Sequence, residues 1–156
     1  MPQVQTTIDY VVTAYIAHAG KVLLVFHNAL EKWLPVGGHI EPNEDPEEAL
    51  YREIEEETGL AKNDIEVIGN KPEAMSATTK FLLPPQYLDI HRISDTHRHV
   101  SMVHFVEAKT DTIMRAEGEH RAIRWFIQKE LDLEEFALMP EIIFYSRKAI
   151  EEVAGG

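Results

Sequence analysis

The sequence predicts an α/β domain with a mixed β-sheet, and three observations support this. Short runs rich in β-branched and aromatic residues recur along the chain. Two of them are joined by a hairpin turn, whereas others are separated by segments with helical periodicity. Hairpins join antiparallel strands and helical crossovers join parallel ones, so one sheet should contain both kinds of pairing. The 156 residues, 44% of them hydrophobic, are typical of one domain, and we expect residues 1–156 to form it.

The first part of the chain predicts three strands followed by a helix. The strands are expected at residues 8–17, 22–27 and 33–40, with a hairpin turn at 18–21. The helix is expected at residues 46–58, because Asp45 can cap it, Pro46 suits its first position and Glu48 can complete a capping box. Gly59 supplies its end.

The second part predicts four further strands and one helix. The strands are expected at residues 65–68, 86–91, 100–108 and 122–126. The helix is expected at residues 140–153, with an apolar face that repeats at helical spacing. The chain has no internal repeat and no linker long enough to divide two domains.

Composition restricts the function. The formal net charge of −12 disfavours binding to a nucleic-acid polymer. There is no cysteine, which excludes disulfides, thiolate metal sites and a cysteine nucleophile. No apolar run is long enough to cross a bilayer, and the start of the chain does not resemble a signal peptide. We therefore expect a cytoplasmic protein with no membrane contact.

Carboxylates on the predicted helix are the first candidate for chemistry. At about 100° per residue, Glu53, Glu56 and Glu57 share one arc of the helix, beside the apolar flank. Arg52, four residues before Glu56, can neutralise only part of this charge. Oxygen ligands grouped in this way suit Mg²⁺ or Mn²⁺. A glutamate run on a helix is, however, most often a solvated face.

The surrounding sequence favours the metal-binding interpretation. Gly37 and Gly38 precede the helix, and the helix ends in Arg-Glu-Ile-Glu-Glu-Glu-Thr-Gly-Leu. The segment resembles the Nudix box, in which a glycine, a glutamate and an Arg-Glu-apolar-any-Glu-Glu-any-Gly-apolar run occur at fixed spacing. The matching positions are Gly38, Glu44, Arg52, Glu53, Ile54, Glu56, Glu57, Gly59 and Leu60. Asn43 stands where many members have glycine.

The resemblance implies an α/β/α sandwich that hydrolyses compounds in which a nucleoside diphosphate is linked to another group. It implies Mg²⁺, with Mn²⁺ as the alternative, and often a homodimer. The metal ligands implied are Glu53, Glu56, Glu57 and Gly38, with Glu44 either joining them or bracing the loop. Arg52 would orient a ligand carboxylate. Glu53 is the first choice for the general base, and Glu117 and Glu119 are the candidates outside the box.

Four residues are predicted to bind substrate: Gly37, Gly38, Trp33 and His99. Trp33 could stack on a base, although a packing role is the commoner one. His99 belongs to a group with His91, His97 and His104, and residues 97 and 99 share a strand face if the strand starts early enough. Histidines on a strand edge are commonly surface residues.

Several functions remain open at this point. A nucleoside triphosphate is the favoured substrate, and ADP-ribose, another dinucleotide or a nucleotide sugar is the alternative. A second alternative is a Nudix-fold nucleotide-binding regulator without turnover, although such proteins usually lose box carboxylates. A third is an unrelated acidic domain that matches by chance, which predicts no stabilisation by metal.

Overall fold

The computed structural model of the protein describes residues 5–114 and 120–155. In these ranges the chain forms one eight-stranded sheet and two α-helices. The strands are β1 (Thr7–His18), β2 (Lys21–His27), β3 (Lys32–Leu34), β4 (Val36–His39), β5 (Ile65–Val67), β6 (Tyr87–Ser94), β7 (His97–Ala108) and β8 (His120–Ile127). The helices are α1 (Pro46–Thr58) and α2 (Pro140–Ala154).

Strand β1 organises the sheet because both of its edges are paired. One edge runs parallel to β7 along almost its whole length. The other edge pairs antiparallel with β4 in its middle and with β2 at its end. Strand β2 also pairs with β3 and β8, and β7 pairs with β5 and β6, all antiparallel. The parallel pair makes the sheet mixed, which confirms the sequence-based prediction.

Helices α1 and α2 cover opposite faces of the sheet. The apolar side of α1, including Leu50 and Ile54, packs with Val12 of β1 on one face. Ile142 of α2 packs with Tyr15 of β1 on the other face. Successive strand residues point to opposite faces, so one strand contributes to both cores. Full burial of each Leu or Ile side chain contributes about 1.5–3 kcal/mol. The architecture is therefore the expected α/β/α sandwich.

Residues 33–40 form two strands and not one, which corrects the prediction. Strand β3 pairs with β2, whereas β4 pairs with β1. Pro35 lies between them and has no N–H to donate to a sheet ladder, so the chain changes partner there. This change places Gly37 and Gly38 beside β1.

The remaining elements start and end close to their predicted positions. The hairpin turn consists of Ala19 and Gly20, with φ of 46° and 77°, the left-handed values that a two-residue hairpin loop requires. Strand β7 starts at His97, earlier than predicted, and β6 continues to Ser94. Within residues 5–114 and 120–155, no helix is long and apolar enough to span a membrane.

Both ends of α1 are fixed by the residues that the sequence indicated. The Asp45 carboxylate accepts a hydrogen bond from the Glu48 backbone N–H at 3.0 Å, and the Glu48 carboxylate accepts one from the Asp45 N–H at 2.8 Å. Gly59 ends the helix in the left-handed conformation with φ of 76°. The helix therefore has a defined register relative to the sheet.

The Asp45→Ala substitution should lower the free energy of unfolding by about 1–2 kcal/mol, because the first turn loses its cap. Asp45 also pairs with Lys80 at 2.6 Å. Asp45→Asn is the matched control, since asparagine keeps the cap but loses the ion pair. Urea denaturation should show a clearly smaller loss for Asp45→Asn. Equal losses would mean that the ion pair, and not the cap, stabilises this end.

Candidate active site

Two consecutive glycines bring the backbone of β4 close to β1 and α1. A Cβ atom on Gly37 would lie 2.2 Å from the Val12 carbonyl oxygen, which belongs to the sheet backbone. A Cβ atom on Gly38 would lie 2.3 Å from the Glu53 Oε1 atom. The backbone of β1 therefore requires glycine at position 37, whereas at position 38 a Cβ atom would displace the Glu53 carboxylate.

The carboxylates of Glu53, Glu56 and Glu57, here called the acidic face, lie at the C-terminal half of α1. The side chains of Glu53 and Glu56 are 14% and 60% exposed, and Glu57 is buried. Glu57 Oε2 accepts a hydrogen bond from the Gly37 N–H at 3.3 Å. Glu55, on the other side of the helix, is exposed. The acidic face thus meets the glycine pair directly.

Arg52 connects the acidic face to the loop before the helix. Its Nη1 donates to Glu53 Oε1 at 2.9 Å and to Glu56 Oε2 at 3.3 Å. Its Nη2 donates to the His39 carbonyl oxygen at 3.1 Å. Its Nε and Nη2 bind both carboxylate oxygens of Glu44, at 3.0 and 2.6 Å. This bidentate pair is the strongest geometry available to an arginine.

Glu44 braces the loop. Besides Arg52, its carboxylate accepts a hydrogen bond from the Glu41 N–H at 2.9 Å. Arg52, through its hydrogen bond, lowers the pKa of Glu44. Of the two roles that the sequence left open for Glu44, this geometry favours bracing the loop over binding the metal.

The acidic face carries unfavourable charge. Burial raises the pKa of Glu53 to about 7; the hydrogen bond from Arg52 opposes this rise, and the charges of Glu57 and Glu56 add to it. A nearby cation would restore the ionised form. The donor set, carboxylate oxygens beside the open backbone of Gly38, is of the kind that Mg²⁺ or Mn²⁺ accepts. The residues therefore fit a hard divalent cation.

Cation binding would require a local rearrangement. Glu53 and Glu56 are turned towards Arg52, and Glu57 towards the Gly37 N–H. The three glutamates are not grouped as closely as metal ligands. Among the described residues, the ligand atoms that lie within 4.8 Å of one another belong to a different group, which consists of Asp9, His39, His97 and His99. The glutamates must therefore exchange hydrogen bonds with the protein for contacts with the cation.

A cavity of about 470 Å³ opens on the other side of the glycine pair. Gly37, Gly38 and Glu57 line one end of it, and Tyr145 of α2 lies among its walls. Lys32, Arg92 and His99 also line it. The volume is in the range of small-molecule sites. A ligand in this cavity would contact the glycine pair and Glu57, which is the member of the acidic face among the lining residues.

Comparison with known proteins identifies the family. The model of the NUDIX domain matches residues 8–145, which covers most of the chain. The chain belongs to the Nudix family. Gly38, Arg52 and the acidic face occupy positions of the Nudix-box pattern, and Gly37 directly precedes it.

Two curated relatives, both named RNA pyrophosphohydrolase, match over short segments of this Nudix chain. The protein from Saccharophagus degradans is 56% identical over 39 residues, 25% of this chain and 23% of that protein. The protein from Pseudomonas putida is 44% identical over 50 residues, 32% of this chain and 31% of that protein. The matches span less than a third of the length of these relatives.

Solved structures resemble the whole Nudix fold of this chain. A NUDIX-family hydrolase from Clostridium perfringens superposes with a TM-score of 0.78 at 26% identity, covering 92% of this chain and 96% of that one. A C. elegans Ap4A hydrolase complex superposes with a TM-score of 0.69 at 18% identity, covering 95% and 99%. The second likeness concerns the fold alone.

The residues predicted outside the Nudix box have different outcomes. His99 lines the cavity. Trp33 is not among the lining residues and instead packs edge-on against Phe26, Phe126 and Phe136, so its geometry indicates a packing role. Glu117 and Glu119 lie outside the residues that the structure describes.

The four histidines of the C-terminal half do not form one group. His91 pairs with His99 across β6 and β7, and the His97 ring also contacts His99. His104 is buried near Glu47, with a pKa lowered to about 4 by burial. His99 and His104 both belong to β7 and are separated by an odd number of positions, so their side chains point to opposite faces of the sheet. His104 therefore lies on the α1 side.

The sequence did not indicate two residues of the group of possible metal ligands around His99. Asp9 of β1 and His39 of β4 lie beside His97 and His99. His39 directly follows the glycine pair and could have been suspected on that ground. Asp9 carries no local signal, because its proximity depends on the parallel pairing of β1 with β7.

The two glycines should respond differently to alanine. Gly37→Ala should lower the free energy of unfolding by about 1–3 kcal/mol, since the clash is with backbone. Gly38→Ala should leave stability closer to wild type, because the Glu53 side chain can turn, but should weaken Mn²⁺ or Mg²⁺ binding at least about 10-fold. Urea denaturation and isothermal titration calorimetry measure these effects. Wild-type cation affinity in Gly38→Ala would contradict this assignment.

Proposed function

We propose that the protein hydrolyses a diphosphate bond in a small molecule that contains a nucleoside diphosphate linked to another group. A nucleoside triphosphate is the favoured substrate. The observation that carries this proposal is the continuity between cavity and Nudix box, since Gly37, Gly38 and Glu57 line the cavity. A nucleotide held there with its phosphates at the glycine pair would bring them next to Glu57 of the acidic face.

The residues of the Nudix box have separate roles in this proposal. Glu53, Glu56, Glu57 and the Gly38 carbonyl would hold Mg²⁺ or Mn²⁺. We also assign to Glu53 the role of general base, which accepts a proton from the attacking water. A cation held there would supply the positive charge that neutralises the diphosphate and favours in-line attack of water on phosphorus. Arg52 keeps the carboxylates in position and remains attached to the loop through Glu44.

The cavity favours a small substrate over a polymer. Its volume of about 470 Å³ suits a nucleotide-sized ligand. Lys32, Arg92 and His99 supply cationic or hydrogen-bonding groups for phosphate or ribose oxygens. The net charge of −12 repels an extended phosphate backbone. The relatives named RNA pyrophosphohydrolase nevertheless make a 5′-triphosphorylated RNA an informative member of any substrate panel.

Catalytic turnover fits the site better than binding alone. Glu53, Glu56 and Glu57 are all present, and Arg52 and Glu44 hold the geometry of the box. A binding module has no need of an acidic face that is electrostatically unfavourable without a cation. ADP-ribose, dinucleotides and nucleotide sugars share the diphosphate and remain alternative substrates.

Hydrolysis of a panel with Mg²⁺ or Mn²⁺ tests the proposal. The panel contains nucleoside triphosphates, an oxidised deoxyguanosine triphosphate, ADP-ribose, NADH, diadenosine polyphosphates, a nucleotide sugar and a 5′-triphosphorylated RNA. Glu56→Gln should lower kcat at least about 100-fold, because loss of a ligand should exceed the 10–100-fold effect typical of residues that only orient ligands. Chelation of the cation should abolish turnover.

Glu55→Gln is the matched control, because it removes the same charge from an exposed position on the same helix. It should keep the wild-type rate. Binding of a panel member without cleavage in any cation would favour the regulator. Hydrolysis that survives Glu56→Gln unchanged would show that the acidic face does not carry the reaction.

A further inference from the structure

A second group of ligand-type side chains lies on the sheet face opposite the acidic face. It consists of Asp9 on β1, His39 on β4, and His97 and His99 on β7, and we call it the histidine cluster. Each residue offers one nitrogen or oxygen atom, and these atoms all lie within 4.8 Å of one another. Three imidazoles and one carboxylate are donors that divalent transition metals prefer.

Contacts inside the histidine cluster are already close. Asp9 Oδ2 lies 2.7 Å from His97 Nε2 and 3.4 Å from His39 Nε2. The His99 ring is surrounded, with centroid distances of 4.7 Å to His97 and 4.9 Å to His39. One carboxylate oxygen of Asp9 therefore lies close to the imidazoles of His97 and His39. The third imidazole, that of His99, packs against both of these rings.

His99 has an unsatisfied polar atom in this cluster. Its Nε2 is buried and, among the described residues, has no hydrogen-bond partner. A buried nitrogen without a partner costs about 1–3 kcal/mol. A neutral imidazole carries a lone pair on one of its two ring nitrogens, and a nitrogen without a hydrogen-bond partner is open to a ligand.

The histidine cluster is separate from the Nudix box although β4 contributes to both. Gly38 faces Glu53 of α1, whereas the neighbouring His39 faces Asp9 on the other side of the sheet. The box offers only oxygen atoms, and the cluster offers mainly imidazole nitrogens. The two sites therefore suit different cations.

We propose that Asp9, His39, His97 and His99 bind a divalent transition metal of the Zn²⁺ class as a second metal site. Ligands of tetrahedral Zn²⁺, each about 2.0–2.1 Å from the metal, lie roughly 3.3 Å apart. The observed spread of 4.8 Å thus requires a contraction of side chains, without a change in strand pairing. The parallel pairing of β1 with β7 holds the backbones of Asp9 and His99 opposite each other.

A metal in the histidine cluster would have two consequences for the molecule. It would crosslink three strands, β1, β4 and β7, beside the segment that carries the glycine pair. It would also place positive charge at the wall of the cavity, because His39 and His99 line that wall. The site is independent of whether the Nudix box catalyses the proposed reaction.

Zinc binding to tag-free, chelator-treated protein tests the proposal. Micromolar Zn²⁺ is titrated in excess Mg²⁺, which competes for the carboxylates of the acidic face. We expect one Zn²⁺ per chain and a higher Tm with zinc. The Asp9→Asn and His97→Gln variants should each raise the Kd for zinc at least about 100-fold, since each removes a direct ligand. Co²⁺ should give the intense visible absorption of a tetrahedral site in wild type but not in these variants.

Two controls locate the zinc. His91→Gln changes a histidine that contacts the His99 ring but lies outside the histidine cluster, and it should bind zinc as wild type does. Glu56→Gln should also keep the site while losing hydrolysis, so failure of the Nudix reaction and failure of this proposal are distinguishable. Circular dichroism and Tm without zinc confirm that each variant is folded. Zinc affinity that is unchanged in His97→Gln, or lost in Glu56→Gln, overturns the proposal.

Discussion

The guanidinium of Arg52 is the contact on which the candidate active site depends. It binds Glu44 in the loop, Glu53 and Glu56 on the helix, and the carbonyl of His39 at the end of β4. Its pKa is raised, with the hydrogen bond to Glu44 as the largest cause. In an acidic chain, this one fixed cation lets several carboxylates approach the same backbone segment. Lysine could not replace it, because an ammonium lacks the planar fork that binds Glu44 through two nitrogens.

A second constraint is the pairing of β1, which places two kinds of site around one short segment. Its antiparallel pairing with β4 brings Gly38 to the acidic face and His39 to the opposite face. Its parallel pairing with β7 brings His97 and His99 to Asp9. Pro35 makes this possible by ending the pairing of the preceding strand with β2. The cavity lies on the same face as the histidine cluster, so the sheet itself separates it from most of α1.

Much of this arrangement could be predicted from local sequence, and the part that could not depends on pairing between distant strands. The start and end of α1 follow from Asp45 and Gly59, and the acidic face follows from helical spacing alone. The division at Pro35 was missed because residues 33–40 read as one β-rich run. Asp9 was missed for a different reason. Nothing near it in sequence marks it, and its partner His97 lies 88 residues further along the chain. For Trp33 the sequence left both base stacking and packing open, and its ring contacts with Phe26, Phe126 and Phe136 favour packing.

The two donor sets also explain how one small protein could distinguish two metals without mixing them. The acidic face offers oxygen atoms, two of which accept hydrogen bonds from Arg52, and a hard, strongly hydrated cation would compete with Arg52 for them. The histidine cluster offers imidazoles, one of them with an unsatisfied nitrogen, which a hard cation satisfies poorly. Affinity alone would let Zn²⁺ occupy either set, because binding strength for most donors rises across the divalent series. Separation therefore depends on the histidine cluster binding zinc more tightly than the carboxylates do, and three nitrogen donors on a paired strand framework provide that preference.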